Sequence, residues 1–289
     1  MPGENRAPDR LRRLIAAPAP IIFPTCFDAL SARLLDQAGF SCTLMSGFGV
    51  AATRYGLPDV GLVTFTDMLD QLRNICSAAP NLCVIADGDT GYGNAMNVRR
   101  TTIEYARAGA AAIMLEDQLS PKRCGHMAGA REVVSRQEAV AKIRAAVDAR
   151  AEQDILVMAR TDARGGLGFE EAMLRCQLFE EAGADIIFME APETAEELRK
   201  FAAGVRTAPF CNIAPKTPVL DRPSLLSMGF KFICYNTVLP AAVHAMQQAL
   251  LAVRDDDASK APAQAEFHAI TRIVGISEYN EIQQRYGAA

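Results

Sequence analysis

The sequence predicts an α/β fold of the (β/α)₈ type, a TIM barrel with extra helices at its C-terminal end. Eight short apolar segments recur along the 289 residues, and a segment with helical spacing of apolar residues follows each of them. Near-continuous apolar strands that alternate with helices are typical of a parallel sheet covered by helices. Eight such units in a chain of this length favour closure into a barrel over an open sheet.

The predicted strands and helices alternate along the whole chain. The strands cover residues 20–24, 42–45, 83–86, 111–115, 155–159, 185–189, 209–213 and 231–235. The helices cover 29–35, 64–78, 135–150, 169–182, 195–203, 222–228 and 239–253, and a further one ends at 107. Gly39, Gly109, Gly183 and Gly229 stand where helices should end, which fits the left-handed C-cap conformation that glycine adopts without a Cβ clash.

A doubly wound nucleotide-binding sheet is the alternative fold, and its fingerprint is matched only loosely. Residues 47–52, Gly-Phe-Gly-Val-Ala-Ala, fit the pattern G-x-G-x-x-A. Residues 55–59, Tyr-Gly-Leu-Pro-Asp, interrupt the helix that should follow, and no acid stands on a second strand end at the usual offset. The sequence therefore favours the barrel.

The chain divides, on this prediction, into a catalytic barrel, residues 1–253, and a C-terminal helical tail, residues 254–289. The tail begins with a charged segment, 255–260, and continues with Ile270, Ile273, Val274, Ile276 and Tyr279 at helical spacing. Apolar residues at this spacing need a surface that covers them. We expect the tail to pack on the barrel or to be exchanged with a neighbouring subunit of a homo-oligomer.

Composition restricts the class of protein. The chain is 50% hydrophobic and 22% charged with a formal net charge of −4, as in ordinary globular proteins, and it has no basic stripe that would predict a nucleic-acid partner. The segment 1–10 is polar, unlike a signal peptide, and no apolar run is long enough to span a bilayer. The 8 cysteines include no CxxC pair and several lie in apolar strands, so we expect reduced thiols in a cytoplasmic protein without a structural zinc site.

Polar residues stand where the predicted strands end, and this is the face that carries the active site in such barrels. Asp87 and Asp89 follow the third strand, Glu116 follows the fourth, and Arg160 follows the fifth. Any one of them has an ordinary explanation, because polar residues are common wherever burial ceases. A group of carboxylates without thiolate or imidazole ligands, however, suits Mg²⁺ or Mn²⁺. Arg160 is suited to bind a substrate carboxylate through two parallel hydrogen bonds.

Cys124 differs from the other cysteines in its surroundings. It lies in a polar loop with Lys122, Arg123 and His126, whereas several of the others lie in apolar strands. Positive neighbours lower the pKa of a thiol and favour the reactive thiolate. A lone cysteine is usually only a packing residue, but these neighbours favour a catalytic role for Cys124.

Several motifs together resemble the isocitrate lyase/phosphoenolpyruvate mutase superfamily. They are Ser46-Gly47, Gly56-Leu57-Pro58-Asp59, Asp87-Gly88-Asp89-Thr90-Gly91-Tyr92-Gly93-Asn94, Glu116-Asp117-Gln118, Lys122-Arg123-Cys124-Gly125-His126 and Ala159-Arg160-Thr161-Asp162-Ala163. The resemblance runs from about Phe27 into the tail. Members with the cysteine loop are carbon–carbon lyases or hydrolases, and the likeness is greatest to the group of 2-methylisocitrate lyase, 2,3-dimethylmalate lyase and petal death protein.

The resemblance implies a magnesium-dependent enzyme with a defined set of site residues. A Mg²⁺ ion would be ligated directly by Asp87, and largely through waters by Asp59, Asp89 and Glu116. The substrate-binding residues that it implies are Ser46, the Gly47 and Phe48 amides, Arg160, Glu190 and Asn212. The catalytic residues that it implies are Cys124 on a gating loop, Arg160, and His126, which would steer the second carboxylate. Relatives exchange their terminal helices between subunits, which implies a tetramer built as a dimer of dimers.

The expected reaction is the cleavage of a 2-hydroxy dicarboxylate of the 2-alkylmalate type, such as 2,3-dimethylmalate or methylisocitrate. The products would be a 2-oxo acid such as pyruvate and a second carboxylate. An oxaloacetate hydrolase or decarboxylase that uses the same enolate-stabilising site is the alternative. A phosphonate P–C bond mutase fits less well, because the mutases lack the cysteine. A non-catalytic protein that binds 2-oxo acids is a further alternative.

Two departures from the family bear on the substrate. Relatives carry an acid shortly after the residue that matches Asn212, on a longer loop, whereas residues 212–218 here read Asn-Ile-Ala-Pro-Lys-Thr-Pro. Without that acid, the far end of the pocket should be less polar and should accept a compact or alkylated diacid better than a tricarboxylate. Leu44 stands where methylisocitrate lyases carry a tyrosine, which argues against methylisocitrate as the substrate.

Overall fold

The computed structural model describes residues 6–124, 131–214, 217–218 and 221–287, and its centre is a closed barrel of parallel strands. The strands are β1 Ile21–Cys26, β2 Cys42–Met45, β3 Cys83–Asp87, β4 Ala112–Glu116, β5 Leu156–Thr161, β6 Ile186–Met189, β7 Ala208–Ile213 and β8 Phe232–Tyr235. They follow the chain order around the barrel, and β1 pairs with β8 to close it. The prediction of a (β/α)₈ barrel is confirmed.

Helices connect successive strands and cover the outside of the barrel. They are α1 Ala7–Ala16, α2 Ala29–Gln37, α3 Gly47–Val50, α4 Phe65–Ala78, α5 Ala95–Arg107, α6 Arg136–Asp148, α7 Arg164–Leu167, α8 Phe169–Glu181, α9 Ala195–Gly204, α10 Arg222–Ser227, α11 Val238–Arg254, α12 Phe267–Ile273 and α13 Ile276–Tyr286. A π-helical turn, Ala51–Tyr55, continues α3, and 3₁₀ turns cover Ala149–Ala151 and Ala258–Lys260. Among the helices of the described ranges, none is both long and apolar enough to cross a membrane.

Local sequence chemistry explains where these helices begin and end. Asn94 caps α5 by accepting hydrogen bonds from the N–H groups of Met96 and Asn97. This cap fixes the end of the acid-rich loop that follows β3. The glycines predicted to end helices all have a left-handed φ, which is 82° at Gly39, 99° at Gly109, 96° at Gly183 and 90° at Gly229.

Two apolar layers surround the strands. Inside the barrel, Phe23, Phe210 and Phe232 pack against one another with ring centroids 6.1 to 6.3 Å apart. Outside it, the strands pack against buried helix residues such as Leu72 and Phe179. Because apolar side chains fill the interior of the barrel, the polar side chains lie at the carboxyl ends of the strands.

Helix α1 was not predicted, because residues 1–10 were interpreted only as a polar segment. Pro8 stands in the first turn of the helix, a position that tolerates proline. Leu11 is fully buried in the same apolar cluster as Phe23 and Phe232. Arg10 donates to the carbonyl oxygen of Leu82, just before β3. Helix α1 therefore covers the N-terminal end of the barrel, opposite the predicted site.

The tail is helical, as its apolar spacing predicted, and it lies against its own barrel. The side chains of Arg33 and Gln37 on α2 donate to the carbonyl oxygen of Ile273, at 3.5 Å and 3.2 Å. The exchange of this tail with another subunit stays a prediction.

Candidate active site

A small cavity lies at the carboxyl ends of the strands, where the sequence predicted the site. Its volume is about 70 Å³. It is lined by Leu44, Ser46, Phe48, Asp59, Asp87, Met114, Glu116, Lys122, Arg123, Cys124, Arg160, Phe188, Glu190, Asn212 and Asn236. Most of the predicted site residues are therefore brought together. Gly47 and Asp89 contact lining residues instead, and His126 lies outside the described residues.

Asp87 is the last residue of β3, and two backbone N–H groups fix its carboxylate. Gly47 N–H donates to Oδ2 at 3.0 Å, and Asp89 N–H donates to Oδ1 at 3.2 Å. A Cβ on Gly47 would lie 2.6 Å from Asp87 Oδ2, so this approach requires glycine. The hydroxyl of Tyr105 on α5 donates to the Asp87 carbonyl oxygen at 3.1 Å. The Gly47 amide, which the resemblance assigned to the substrate, thus binds Asp87 in this structure.

The Lys122 ammonium lies among the acids that were assigned to the metal. Its Nζ is 2.5 Å from Asp59 Oδ1 and 2.8 Å from Asp89 Oδ1. Burial opposes its charge, but the surrounding carboxylates, Asp89 foremost, outweigh burial and raise the pKa of Lys122 well above its usual value. The sequence reading treated Lys122 as a neighbour that activates Cys124. The structure adds a second contact that the sequence did not predict, because the ammonium is paired within the acid cluster.

The acid cluster, which comprises Asp59, Asp87, Asp89 and Glu116, fits a hard divalent cation in its chemistry. All four are buried, and Glu116 Oε1 has no hydrogen-bond partner among the described residues. Burial, reinforced by Asp89, raises the pKa of Asp87 to about 6, and burial also raises that of Glu116. A bound cation would lower both pKa values. Within the described ranges, however, no three acidic, histidine or cysteine side chains converge on a common metal position.

Arg160 extends from β5, which runs to Thr161 and so beyond its predicted end. Its Nε and Nη2 donate to the two oxygens of Asp162 at 2.8 Å and 2.9 Å. Nε also lies 3.4 Å from Glu116 Oε2, and Nη2 lies 3.3 Å from Glu190 Oε2. Burial opposes the guanidinium charge, but Asp162 and the other acids raise its pKa well above the usual value. Arg160 is thus a permanent cation in the cavity wall.

Asp117 lies outside this cavity, although it follows Glu116 directly in the sequence. Its Oδ2 accepts from Thr161 Oγ1 at 2.7 Å and from Arg175 Nη1 at 2.9 Å. Its Oδ1 accepts from the Asp162 N–H at 2.8 Å. Successive residues of a strand point to opposite faces, so Glu116 enters the barrel and Asp117 ties β4 to β5 and α8.

The segment that carries Cys124 is fixed by neighbouring residues. Cys124 N–H donates to the Asp59 carbonyl oxygen at 3.1 Å. The Gln118 side chain accepts from the Arg123 N–H at 2.9 Å and donates to the Arg123 carbonyl oxygen at 3.0 Å. Cys124 is half-buried and lines the cavity together with Arg160. No disulfide joins any of the 8 cysteines, all of which lie within the described ranges.

Ser46 stands at the end of β2 and caps the short helix α3. Its Oγ accepts from the Gly49 N–H at 3.1 Å. The Phe48 side chain is 47% exposed at the rim of the cavity. Both residues therefore line the cavity, and their role in substrate binding stays a prediction.

The far wall of the cavity combines amide and apolar side chains. Asn236, just after β8, donates from Nδ2 to Asn212 Oδ1 at 2.8 Å. Leu44, Met114 and Phe188 provide the apolar surface. The sequence analysis gave Asn236 no role, because its pairing with Asn212 depends on the contact of β7 with β8.

Comparison with known proteins places these features in one family. A family model described as phosphoenolpyruvate phosphomutase matches residues 11–254. The chain is 40% identical over 282 residues to 2,3-dimethylmalate lyase of Eubacterium barkeri, covering 96% of this chain and 97% of that protein. It is 39% identical over 274 residues to petal death protein of Dianthus caryophyllus, covering 94% and 84%. It is 39% identical over 253 residues to 2-methylisocitrate lyase of Aeropyrum pernix, covering 86% and 80%.

Solved structures give the same result. A crystal structure of 2,3-dimethylmalate lyase superposes with a TM-score of 0.92 at 35% identity, covering 98% of this chain and 96% of that one. Oxaloacetate acetylhydrolase in complex with 3,3-difluorooxalacetate gives 0.93 at 32% identity, covering 98% of each. Phosphonopyruvate hydrolase in complex with oxalate and Mg²⁺ gives 0.85 at 30% identity, covering 97% and 99%.

These similarities confirm the predicted superfamily and, through the relatives named as lyases, the predicted enzyme class. The barrel, the acid-ended strands and the cysteine segment are features on which the resemblance rested. The chain belongs to the phosphoenolpyruvate phosphomutase family, within the isocitrate lyase/phosphoenolpyruvate mutase superfamily.

Proposed function

We propose that this chain is a magnesium-dependent carbon–carbon lyase that cleaves a compact 2-hydroxy dicarboxylate into a 2-oxo acid and a second carboxylate. The observation that carries the proposal is the convergence of three kinds of group on one cavity: buried carboxylates, the Arg160 guanidinium and the Cys124 thiol. A lyase of this kind needs a cation for the substrate carboxylate, positive charge near the oxygen that becomes a carbonyl, and a proton donor for the leaving carbanion.

Substrate binding is assigned to Arg160, Glu190, Asn212 and the Ser46–Phe48 turn. Arg160 supplies positive charge in a largely buried position, where a charge-assisted hydrogen bond to a carboxylate is strong. Asn212 Oδ1 already accepts from Asn236, so the Asn212 Nδ2 is the group left to donate to the substrate. His126, which lies outside the described residues, keeps its proposed role toward the second carboxylate.

The proposed reaction breaks the bond between C2 and C3 of the substrate. The C2 hydroxyl gives its proton to a buried carboxylate of the cavity wall and becomes a carbonyl, and the electron pair of the broken bond passes to C3, which is then protonated. Cys124 donates the proton for C3 from its thiol. The proton held by the carboxylate returns to the proton donor, directly or through solvent, before the next turnover. Asp87, together with Asp59, Asp89 and Glu116, would hold a Mg²⁺ ion, which would supply positive charge for the negative charge on the substrate oxygens. Arg160 acts in the same sense on the carboxylate next to C2.

The wall of the cavity favours a substrate with alkyl groups. Leu44, Met114 and Phe188 provide its apolar surface. Thr217 closes the short loop after β7 by donating its hydroxyl to the Asn212 carbonyl oxygen at 2.6 Å. A dialkylated malate matches this wall better than a tricarboxylate, whose third charge would lie against apolar side chains.

Hydrolysis of oxaloacetate is the second candidate, and the TM-score of 0.93 with oxaloacetate acetylhydrolase favours it. It ranks below the lyase because the apolar wall suits alkyl groups that oxaloacetate lacks. The two reactions give different products: the lyase releases pyruvate from 2,3-dimethylmalate, whereas the hydrolase releases oxalate and acetate from oxaloacetate.

We further propose that the protein is a homo-oligomer, a tetramer built as a dimer of dimers, in which the tail and α11 form part of the interface. Leu250 and Val253 on α11 are 71% and 83% exposed, and Phe267 on α12 is 75% exposed. Leu250 and Val253 lie one turn apart on α11, and large apolar side chains with such exposure are typical of surfaces that another subunit covers.

A panel of dicarboxylates and tricarboxylates tests the proposed activity. Purified protein is incubated with 2,3-dimethylmalate, malate, methylisocitrate, isocitrate and oxaloacetate, with Mg²⁺ or with excess EDTA. The released 2-oxo acid, pyruvate or glyoxylate, is measured by chromatography, and oxalate is measured in the reaction with oxaloacetate. We expect Mg²⁺-dependent pyruvate release, with the highest kcat/KM for a dialkylated malate. Turnover in excess EDTA would refute the metal assignment, and a higher kcat/KM for a tricarboxylate would refute the substrate assignment.

A further inference from the structure

Arg131 contacts the Asp162 side of the active site, although nothing in the sequence singled it out. It lies in the segment 131–134, which pairs with residues 117–119 through the Leu119 N–H to Glu132 O hydrogen bond at 2.8 Å. Its Nη1 donates to Asp162 Oδ1 at 2.8 Å. The Arg131 side chain is 7% exposed and that of Asp162 is 0% exposed. A guanidinium is thus buried against the carboxylate that binds Arg160.

The backbone of α7, the short helix after β5, leaves room for the Arg131 side chain. A Cβ on Gly165 would lie 2.9 Å from Arg131 Nη2, and a Cβ on Gly166 would lie 3.1 Å from the Arg131 carbonyl oxygen. Two successive glycines therefore stand where Arg131 passes. The absence of a side chain at both positions allows Arg131 to lie against this segment.

Asp162 is shared between two guanidinium groups. Its Oδ1 accepts from both Arg131 Nη1 and Arg160 Nη2, and its Oδ2 accepts from Arg160 Nε. Arg160 also faces Glu116 and Glu190. Three carboxylates therefore surround Arg160, and Arg131 is the cation that neutralises part of the charge on one of them.

We propose that Arg131 is a positioning residue that keeps the Arg160 guanidinium available for the substrate carboxylate. This inference rests on the proposed function, in which Arg160 binds that carboxylate. Without Arg131, Arg160 is the one remaining guanidinium of the pair that binds Asp162, so Asp162 attracts it more strongly. The net charge of the site also becomes more negative by one elementary charge. An incoming carboxylate then competes with a stronger internal partner and enters a more negative site.

Arg131→Met and Arg131→Lys separate charge from shape. The matched control is Arg164→Met, which removes a guanidinium of α7 that pairs with Glu193 and Glu197. The probe is oxalate, a mimic of the pyruvate enolate, titrated calorimetrically in the presence of Mg²⁺. We expect R131M to weaken oxalate binding about tenfold or more, R131K to restore most of the affinity, and R164M to leave it unchanged.

Kinetics and a double mutant give readouts that a merely structural role would not change. R131M should raise KM for the diacid by about the same factor as the oxalate Kd, with a much smaller effect on kcat. In an Asp162→Asn background, the effect of R131M on oxalate binding should largely disappear, because the charge that Arg131 neutralises is gone. If R131M alone fails to fold, Arg131→Gln carries the test, because it keeps a polar group beside Asp162 without the charge and should weaken oxalate binding in the same sense.

The outcomes distinguish this inference from the proposed function. Absence of oxalate binding by the wild-type protein would overturn both. Normal binding by the wild type with an R131M dissociation constant within about twofold of it would overturn only the role of Arg131. An equal loss in R164M, or an undiminished effect of R131M in the D162N background, would also overturn it.

Discussion

Binding and proton transfer are assigned to different residues, Arg160 and Cys124, and a single substitution should separate them. Cys124→Ser leaves Arg160 and the acid cluster unchanged, so oxalate should bind with nearly wild-type affinity. Because a serine hydroxyl is far less acidic than a thiol, kcat should fall by ~10²–10⁴. Isothermal titration with oxalate and steady-state kinetics measure the two quantities.

The matched control for Cys124→Ser is Cys76→Ser, which changes a cysteine of α4 that packs against the outer core. This control variant should fold and should have the same kcat as the wild type. Wild-type turnover by the Cys124 variant would return that cysteine to a packing role. Loss of oxalate binding together with activity would mean that the segment builds the pocket and that another group donates the proton.

Asp87 should make the stability of the metal-free protein depend on pH. Burial, reinforced by Asp89, raises its pKa from 3.8 to about 6, which means that the folded state binds the proton more tightly than the unfolded chain. The resulting stabilisation is present below about pH 4 and is lost as the pH rises through about 6. The shift corresponds to ~3 kcal/mol.

Asp87→Asn removes the destabilisation that the charged, buried Asp87 carboxylate causes at high pH. In EDTA at about pH 8, the variant should have a Tm several degrees above that of the wild type. Mg²⁺ should raise the Tm of the wild type and leave that of the variant unchanged. Scanning calorimetry between about pH 5 and pH 8 measures both effects. Identical melting curves for the two proteins at every pH would contradict the buried charge cluster.

At the level of elements, apolar patterning predicted the strands and most helices, because buried parallel strands are nearly continuous apolar runs. It missed α1, in which Leu11 is a single fully buried residue within an arginine-rich segment. It also ended β5 before Arg160, since a charged residue inside a strand breaks the apolar pattern. Tertiary contacts, here the carboxylates around Arg160, decide such boundaries.

The tail and α11 should determine the assembly. Truncation before Ala261 removes α12 and α13 and uncovers more apolar surface, so we expect a smaller oligomer or lower solubility. Leu250→Lys with Val253→Lys tests the α11 face without a truncation, and Met96→Lys, which changes an exposed apolar residue of α5, is the control. Light scattering coupled to size-exclusion chromatography measures the mass. A monomer in the full-length, truncated and substituted forms would contradict the proposed interface.

Over the whole molecule, the closed barrel brings together acids that are distant in sequence. Because the carboxyl ends of the strands form the active site in such barrels, the sequence alone predicted that Asp87, Glu116 and Arg160 lie near one another. The sequence did not predict the partners of loop residues, because these partners depend on side-chain directions. Lys122 thus pairs with Asp59 and Asp89, and Arg131 pairs with Asp162, without any signal in the spacing of the motifs.

The fate of the proton at C3 tests the proposed reaction most directly. In D₂O with Mg²⁺ and 2,3-dimethylmalate, the thiol of Cys124 carries deuterium and delivers it to the carbanion. The products should be pyruvate and propionate that has gained one deuterium at C2 in a single configuration, which NMR of a chiral ester of the propionate measures. Cys124→Ser should form the products more slowly by the same factor as its loss of kcat. Absence of pyruvate from this substrate, or propionate deuterated at C2 equally in both configurations, would contradict the lyase with a protein-borne proton donor.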